Sequence, residues 1–316
     1  MSGPVKVDVH MHLYPSAASG EWWKSGYEIW EYGDKDGVVF SRYSGTVDDA
    51  LAAMQAAGFV HGIAVNLLSV DLFQEEAAAM LPADLQGEDR ARALAEIEAT
   101  MAERFRVANR WLVDALAPVR QLTAYVGVDP WALSPDENVG HLREMAERGA
   151  RGIKLHPVAQ RFEPDDPRMR PVYELCEELG LVVLSHTGSA KGGEPFAEPR
   201  AFAAVLERHP RLTVVLAHLG GGSWRQTAEL AEAFPRVAFD LCEIIEWTGA
   251  PGAPSPEELG RLIRQVGAGR VLLGTDFPWY DLERTVELAM ALPVLAAGDK
   301  ERILGANAVD LLGLPV

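Results

Sequence analysis

Eight times along this chain a short apolar run is followed by a stretch punctuated like a helix, and few folds accommodate that pattern. The runs cover residues 5–9, 59–66, 121–128, 150–155, 181–185, 212–217, 237–241 and 271–275. Each is rich in Val, Ile, Leu or Phe and too short for a helix, as strands buried on both faces are. Between them lie helix signals. Thr46 with Asp49 forms a capping box ahead of an Ala/Leu-rich segment, and Ser134-Pro135 and Ser255-Pro256 read as an N-cap followed by proline in the first turn. Gly58, Gly149 and Gly180 fall where helices should end, just before the second, fourth and fifth runs.

Strand and helix therefore alternate, which implies a parallel sheet with right-handed crossovers. Eight such units predict an α/β chain closed into a (β/α)8 TIM barrel, with residues 1–316 as a single domain. The competing open, doubly wound sheet would be marked by Gly-x-Gly-x-x-Gly after the first run. That motif is absent there, and Gly220, Gly221 and Gly222 follow the sixth run without its spacing.

Two connections are longer than a barrel needs, so long insertions are expected after strands one and two. The first, residues 13–44, carries Trp22, Trp23, Tyr27, Trp30, Tyr32 and Tyr43; the second, residues 67–118, contains a long helical stretch near 88–116. Both leave the C-terminal ends of strands and should lie over the face where barrel active sites form. The segment from Trp22 to Trp30 reads either as an apolar lid over a pocket or as a homodimer contact, since both kinds of surface favour aromatic residues.

Composition narrows the partners. A chain with 48% hydrophobic and 24% charged residues is a packed globular protein. Its formal charge of -17 repels a phosphate backbone, so nucleic acid is not an expected partner. No segment reaches about 18 uninterrupted apolar residues, and the start lacks a signal-peptide pattern; a cytoplasmic protein acting on a small molecule, without a membrane partner, is expected. The two cysteines, Cys176 and Cys242, are far apart in apolar sequence and read as buried reduced thiols. A nucleophilic role for Cys242, just past the seventh run, is the alternative.

The chemistry is carried by the placement of histidines. Of the 8 in the chain, His10, His12, His156, His186 and His218 sit at or just beyond predicted strand ends, and Asp276 follows the eighth run at the same level. His10 and His12, two residues apart on an extended backbone, point the same way into the barrel mouth. Two neutral imidazoles facing one centre suit a divalent transition metal, and His186 and Asp276 could complete its shell while leaving a position open for water.

Five segments, Asp-Val-His-Met-His at 8–12, Lys-Leu-His-Pro at 154–157, Ser-His-Thr-Gly at 185–188, Ala-His-Leu-Gly-Gly at 217–221 and Gly-Thr-Asp-Phe-Pro at 274–278, occur in order at predicted strand ends. Together they resemble the successive strand-end motifs of the amidohydrolase superfamily, in its amidohydrolase-related branch. That resemblance implies one divalent metal per chain, zinc or another transition ion, held by His10, His12, His186 and Asp276. It also implies catalytic roles for His218 and Asp276, with His218 alternatively a ligand.

Lys154 and His156 share one face of the fourth strand and are expected to bind substrate. Lys154 reads in two further ways: as a carboxylated bridge between two metals, or as a support for His156 and the Pro157 turn. Arg42, Arg161, Lys191 and Glu243 lie in loops predicted to rim the mouth, either as solvated residues or as substrate contacts. The expected reaction is hydrolysis of an amide, lactone or related carbonyl bond by a metal-activated water. The alternative is non-oxidative decarboxylation of a small unsaturated or aromatic acid on the same metal, and a non-catalytic metal-binding protein is a third reading.

Overall fold

The computed structural model describes residues 3–26, 31–189 and 196–316. Eight parallel strands follow one another around a barrel: β1 (Val7–His12), β2 (His61–Val65), β3 (Leu122–Gly127), β4 (Gly152–Leu155), β5 (Val182–Ser185), β6 (Thr213–Leu216), β7 (Ala238–Asp240) and β8 (Val271–Leu272). The barrel closes through backbone bonds from Val9 N–H to Leu273 O, Asp276 N–H to His10 O and His12 N–H to Phe277 O. The same bonds set Asp276 beside the two histidines of β1. This is the (β/α)8 architecture expected from the alternation.

One boundary shifts in a way that matters for function. The first strand starts later and runs further than the 5–9 expected from its apolar residues, so His10 and His12 belong to β1 itself. Its register against β2 slips between Asp8 and Met11, the mark of a bulge. Before the slip, Val7 and Val9 pack with Ile63, Val65, Leu184, Val215 and Leu272 in the barrel interior. After it, Met11 packs outward against the helical layer with Ala64 and Met54. The bulge thereby changes which alternate residues face inward, and His10 and His12 take the inner face.

The helices begin and end as their caps dictate. Thr46 accepts from the Asp49 backbone N–H at the start of helix Val47–Ala57, and Ser134 and Ser255 cap the helices Pro135–Glu147 and Pro256–Val266, each with proline in the first turn. Gly58 and Gly180 adopt left-handed backbone at their helix ends, at φ 73° and 67°. The final helix, Ala306–Leu312, closes the end of the barrel opposite the site: Ala308, Val309, Leu312 and Leu314 pack against the interior cluster.

Both long insertions are present. The first contains helix Ala17–Ser25, and the second contains helices Val70–Ala79 and Gly87–Leu116. The second insertion is tied down by Asn109, fully buried, whose Oδ1 accepts from the Gly127 N–H and from Asn66 Nδ2 while its Nδ2 donates to the Gly127 carbonyl. Tyr27 and Trp30 lie outside the described residues; Trp23 packs on Phe73 at 6.1 Å and so joins the two insertions. Among the described residues no helix is long and apolar enough to cross a membrane.

Candidate functional site

Beyond the C-terminal ends of the strands lies a cavity of about 200 Å³ lined by His10, His12, Lys154, His156, His186, His218 and Asp276, with Trp23, Gly26, Glu31, Leu67, Glu243 and Trp279. The residues picked from sequence as ligands or catalytic groups, with Lys154 and His156 as substrate contacts, are on that wall. Three of its members, His218, Glu243 and Asp276, hold positive φ at 61°, 61° and 58°. Non-glycine residues adopt this region at a cost, and such positions concentrate where a side chain must be aimed at a site.

His10 is oriented from behind. Its Nδ1 lies 3.1 Å from Asp240 Oδ2, and the other Asp240 oxygen accepts from the His218 backbone N–H at 2.9 Å, the Cys242 backbone N–H at 3.2 Å and the Cys242 thiol at 2.9 Å. Burial opposes the Asp240 charge, but the His10 hydrogen bond and the nearby histidines hold its pKa down at about 2. Burial, aided by Lys154, lowers His10 to about 4. The pair is therefore a neutral imidazole donating from Nδ1 to a carboxylate, which leaves the Nε2 lone pair facing the cavity. A side chain at Gly274 would press on this arrangement, since a Cβ there would sit 3.0 Å from His10 Cβ and 3.1 Å from Cys242 Cβ.

Asp276 gathers the other side. Its Oδ1 is 3.1 Å from His12 Nε2 and 3.6 Å from His10 Nε2. Burial alone would raise its pKa, yet the hydrogen bond from His12 and the surrounding imidazoles hold it well below the usual carboxylate range. Trp279 meets the His12 ring edge-on at 5.0 Å and limits its movement. His218 points Nδ1 at the Cys242 carbonyl, 3.2 Å away, so its Nε2 is the nitrogen left for the cavity.

His186 lies further round, 4.7 Å from the His218 ring and stacked on His156 at 3.8 Å. His156 accepts the Ala159 backbone N–H at Nδ1 and so caps the short helix Pro157–Gln160 while lining the cavity. Lys154 is fully buried, with Nζ 2.7 Å from His10 Nε2; burial lowers its pKa and Asp276 opposes that shift.

Among the described residues, the groups of three close enough to share an ion are His10, Cys242 and Asp276, and His218, Asp240 and Cys242. Cys242 Sγ faces the Nδ1 side of both rings, at 3.0 and 3.1 Å, and burial with the Asp240 charge pushes its pKa well above the ordinary value. It is therefore a protonated thiol beneath the histidines. Its thiol donates to Asp240 while the residue packs in the apolar barrel interior with Val7, Val9 and Leu272, a buried free thiol as read from sequence; Cys176 is buried among apolar groups as expected.

The remaining rim candidates separate. Glu243 lines the cavity, whereas Arg42 is exposed and bonded to the Tyr43 hydroxyl, and Arg161 pairs with Asp71 and Glu75 on the second insertion. Neither arginine is among the lining residues. Lys191 lies outside the described residues. Sequence reasoning passed over Asp240 and Glu31. The first sits at the end of β7 and was open to the strand-end rule that found Asp276; the second comes from an irregular loop and carried no local signal.

The donors present fit a divalent transition ion. Imidazole nitrogens of His10 and His12 converge on a carboxylate held ionised, and the buried His186 Nε2 has no hydrogen-bond partner among the described residues.

The sequence profile of a family described as amidohydrolase matches residues 7–314. Among curated proteins, a 2-amino-3-carboxymuconate-6-semialdehyde decarboxylase from Dictyostelium discoideum is 29% identical over 210 residues, and one from Caenorhabditis elegans is 26% identical over 173. The aligned stretches cover 57% and 44% of this chain, but only 58% and 42% of those relatives.

Solved structures match the fold over nearly the whole chain. A 5-carboxyvanillate decarboxylase from Sphingomonas paucimobilis has a TM-score of 0.66 at 16% identity, covering 99% of this chain and 100% of that one. A candidate 2-pyrone-4,6-dicarboxylic acid hydrolase from Pseudomonas putida has 0.60 at 23%, covering 100% of both. A dihydroxybenzoic acid decarboxylase from Polaromonas sp. JS666, solved with bound manganese and 2-nitroresorcinol, has 0.66 at 15%, covering 99% and 98%.

Proposed function

The chain belongs to the amidohydrolase family, and on that premise we propose that it is a metal-dependent, non-oxidative decarboxylase of a small unsaturated or aromatic carboxylic acid, its ion held by His10, His12, His186 and Asp276. The curated relatives support this chemistry over the hydrolysis that the sequence motifs put first. The observation that carries it is the position of Lys154. Among the described residues lining the cavity it is the one Lys or Arg, and a substrate carboxylate needs a cation to leave water.

A divalent ion, when bound, supplies Lewis acidity that draws electron density from the acid. The chain's own groups do the rest. Lys154 receives the carboxylate, whose arrival favours the protonated amine that burial disfavours. The carbon–carboxylate bond breaks to give carbon dioxide, its electron pair stays on the carbon, and one proton from solvent replaces the lost group. His218 carries that proton from its cavity-facing nitrogen, since Nδ1 is committed to Cys242. Trp23, Leu67 and Trp279 supply apolar walls for a flat substrate. Imidazole and carboxylate donors suit zinc and manganese alike, so the donor set does not select between them.

The test is to reconstitute the protein with Mn²⁺ or Zn²⁺, incubate it with a panel of aromatic and unsaturated acids in oxygen-18 water, and collect the gas. Stoichiometric carbon dioxide with unlabelled organic product is expected. Label in a product acid without carbon dioxide would establish hydrolysis instead.

A further inference from the structure

Among the described residues, Glu31 is the one carboxylate of the first insertion that lines the cavity, and the barrel loops are shaped to receive it. A Cβ at Gly188 would stand 2.0 Å from Glu31 Oε1, one at Gly221 2.5 Å from Oε2, and one at Gly252 2.4 Å from the Glu31 carbonyl oxygen. Glycines after β5 and β6 thus leave space for the Glu31 carboxylate, and the glycine after β7 leaves space for its backbone. The Gly222 backbone N–H donates to Oε2 at 2.8 Å, and the Ser189 backbone N–H also bonds the carboxylate. An acid anchored this way has lost its rotameric freedom in advance, which is the condition of a preorganised binding group.

The other oxygen is unanswered. Oε1 is buried without a hydrogen-bond partner among the described residues, and so is His186 Nε2, 3.9 Å away. Two orphaned lone-pair groups facing each other across a gap too long for a hydrogen bond are what remains when the atom joining them is a cation. Ligand atoms bound about 2.0–2.2 Å from one ion lie at comparable mutual distances.

We propose that Glu31 is a ligand of the metal ion that His186 holds, an addition to the set of His10, His12, His186 and Asp276. This rests on the metal-dependent reading for the presence of the ion, and on the glycine cradle and the paired orphans for the assignment to Glu31.

Glu31→Gln separates the binding role from a structural one. The glutamine oxygen can keep the backbone donors, while its amide supplies a hydrogen to the bare His186 nitrogen. The metal-free variant should unfold at the same temperature as the parent or higher, yet bind Zn²⁺ about tenfold or more weakly in competition with a chelator. Its Co²⁺ form should show altered ligand-field absorption. Gly188→Ala, which displaces Oε1 while keeping the acid, should weaken Zn²⁺ in the same direction.

Unchanged Zn²⁺ affinity and Co²⁺ absorption in Glu31→Gln, with the parent binding metal, would overturn the Glu31 assignment and leave the metal reading intact. A parent that binds neither ion would overturn both.

Discussion

Asp240→Asn isolates what holds His10 in its metal-binding tautomer. In the parent, Oδ1 takes three donors, from His218 N, Cys242 N and Cys242 Sγ, and Oδ2 takes His10 Nδ1 alone. Asparagine can keep its oxygen on the three donors, so the fold should survive, but its NH₂ then meets the N–H of His10. The imidazole escapes that clash by moving its hydrogen to Nε2, the nitrogen that faces the cavity. A protonated Nε2 has no lone pair for an ion.

The lost bond joins a charged acceptor to a buried donor, worth roughly 1.5–3 kcal/mol. Taking about 2 kcal/mol as the penalty on metal binding gives a fall in affinity of about thirtyfold, within the usual range for groups behind a ligand. Titration of metal-free protein with Zn²⁺ against a chromophoric chelator measures it, and nitrogen NMR of the imidazoles reports the tautomer directly. Affinity within about threefold of the parent, with His10 still protonated at Nδ1, would refute the reasoning.

Lys154→Met should cut turnover on any acid substrate at least a hundredfold while metal content is unchanged or higher, because one Nε2 lone pair of His10 cannot serve both a lysine hydrogen and an ion; loss of metal would instead favour a carboxylated lysine bridging two ions. His218→Asn should reduce kcat by about 10²–10⁴, the range of a lost proton-handling group, measured on metal-loaded protein of confirmed fold. Dialysis against a chelator should abolish activity and lower Tm, with both restored by Mn²⁺ or Zn²⁺. Burial raises the Asp129 carboxyl from 3.8 to about 6, so its neutral form favours folding fully below pH 3.8, and this advantage is lost as pH rises through 6. Denaturant unfolding of the parent and Asp129→Asn at pH 4 and 7 should differ in pH response by about 3 kcal/mol.

The sequence by itself determined the order of strands and helices, because each apolar run, N-cap and terminal glycine acts within a few residues of where it stands. Thr46, Ser134 and Ser255 cap the expected helices, and the eight runs become the eight strands. The histidines were legible for the same reason: a polar residue at the end of a buried strand has a defined place on a barrel. Their direction was not equally local. Val7, Val9, His10 and His12 cannot all face inward by simple alternation, and only pairing with β2 inserts the bulge that turns the last two into the cavity.

What only the tertiary structure decided are the contacts across long separations. Asp240 reaches His10 across 230 positions, and Gly222 donates to Glu31 across 191. Lys154 likewise became, among the described residues, the one Lys or Arg on the cavity wall, while Arg42 and Arg161 turned to partners of their own. No local pattern encodes these choices. A side chain in an irregular loop takes its position from whichever surfaces exclude or accept it, and here those surfaces are supplied by strands at the far end of the chain.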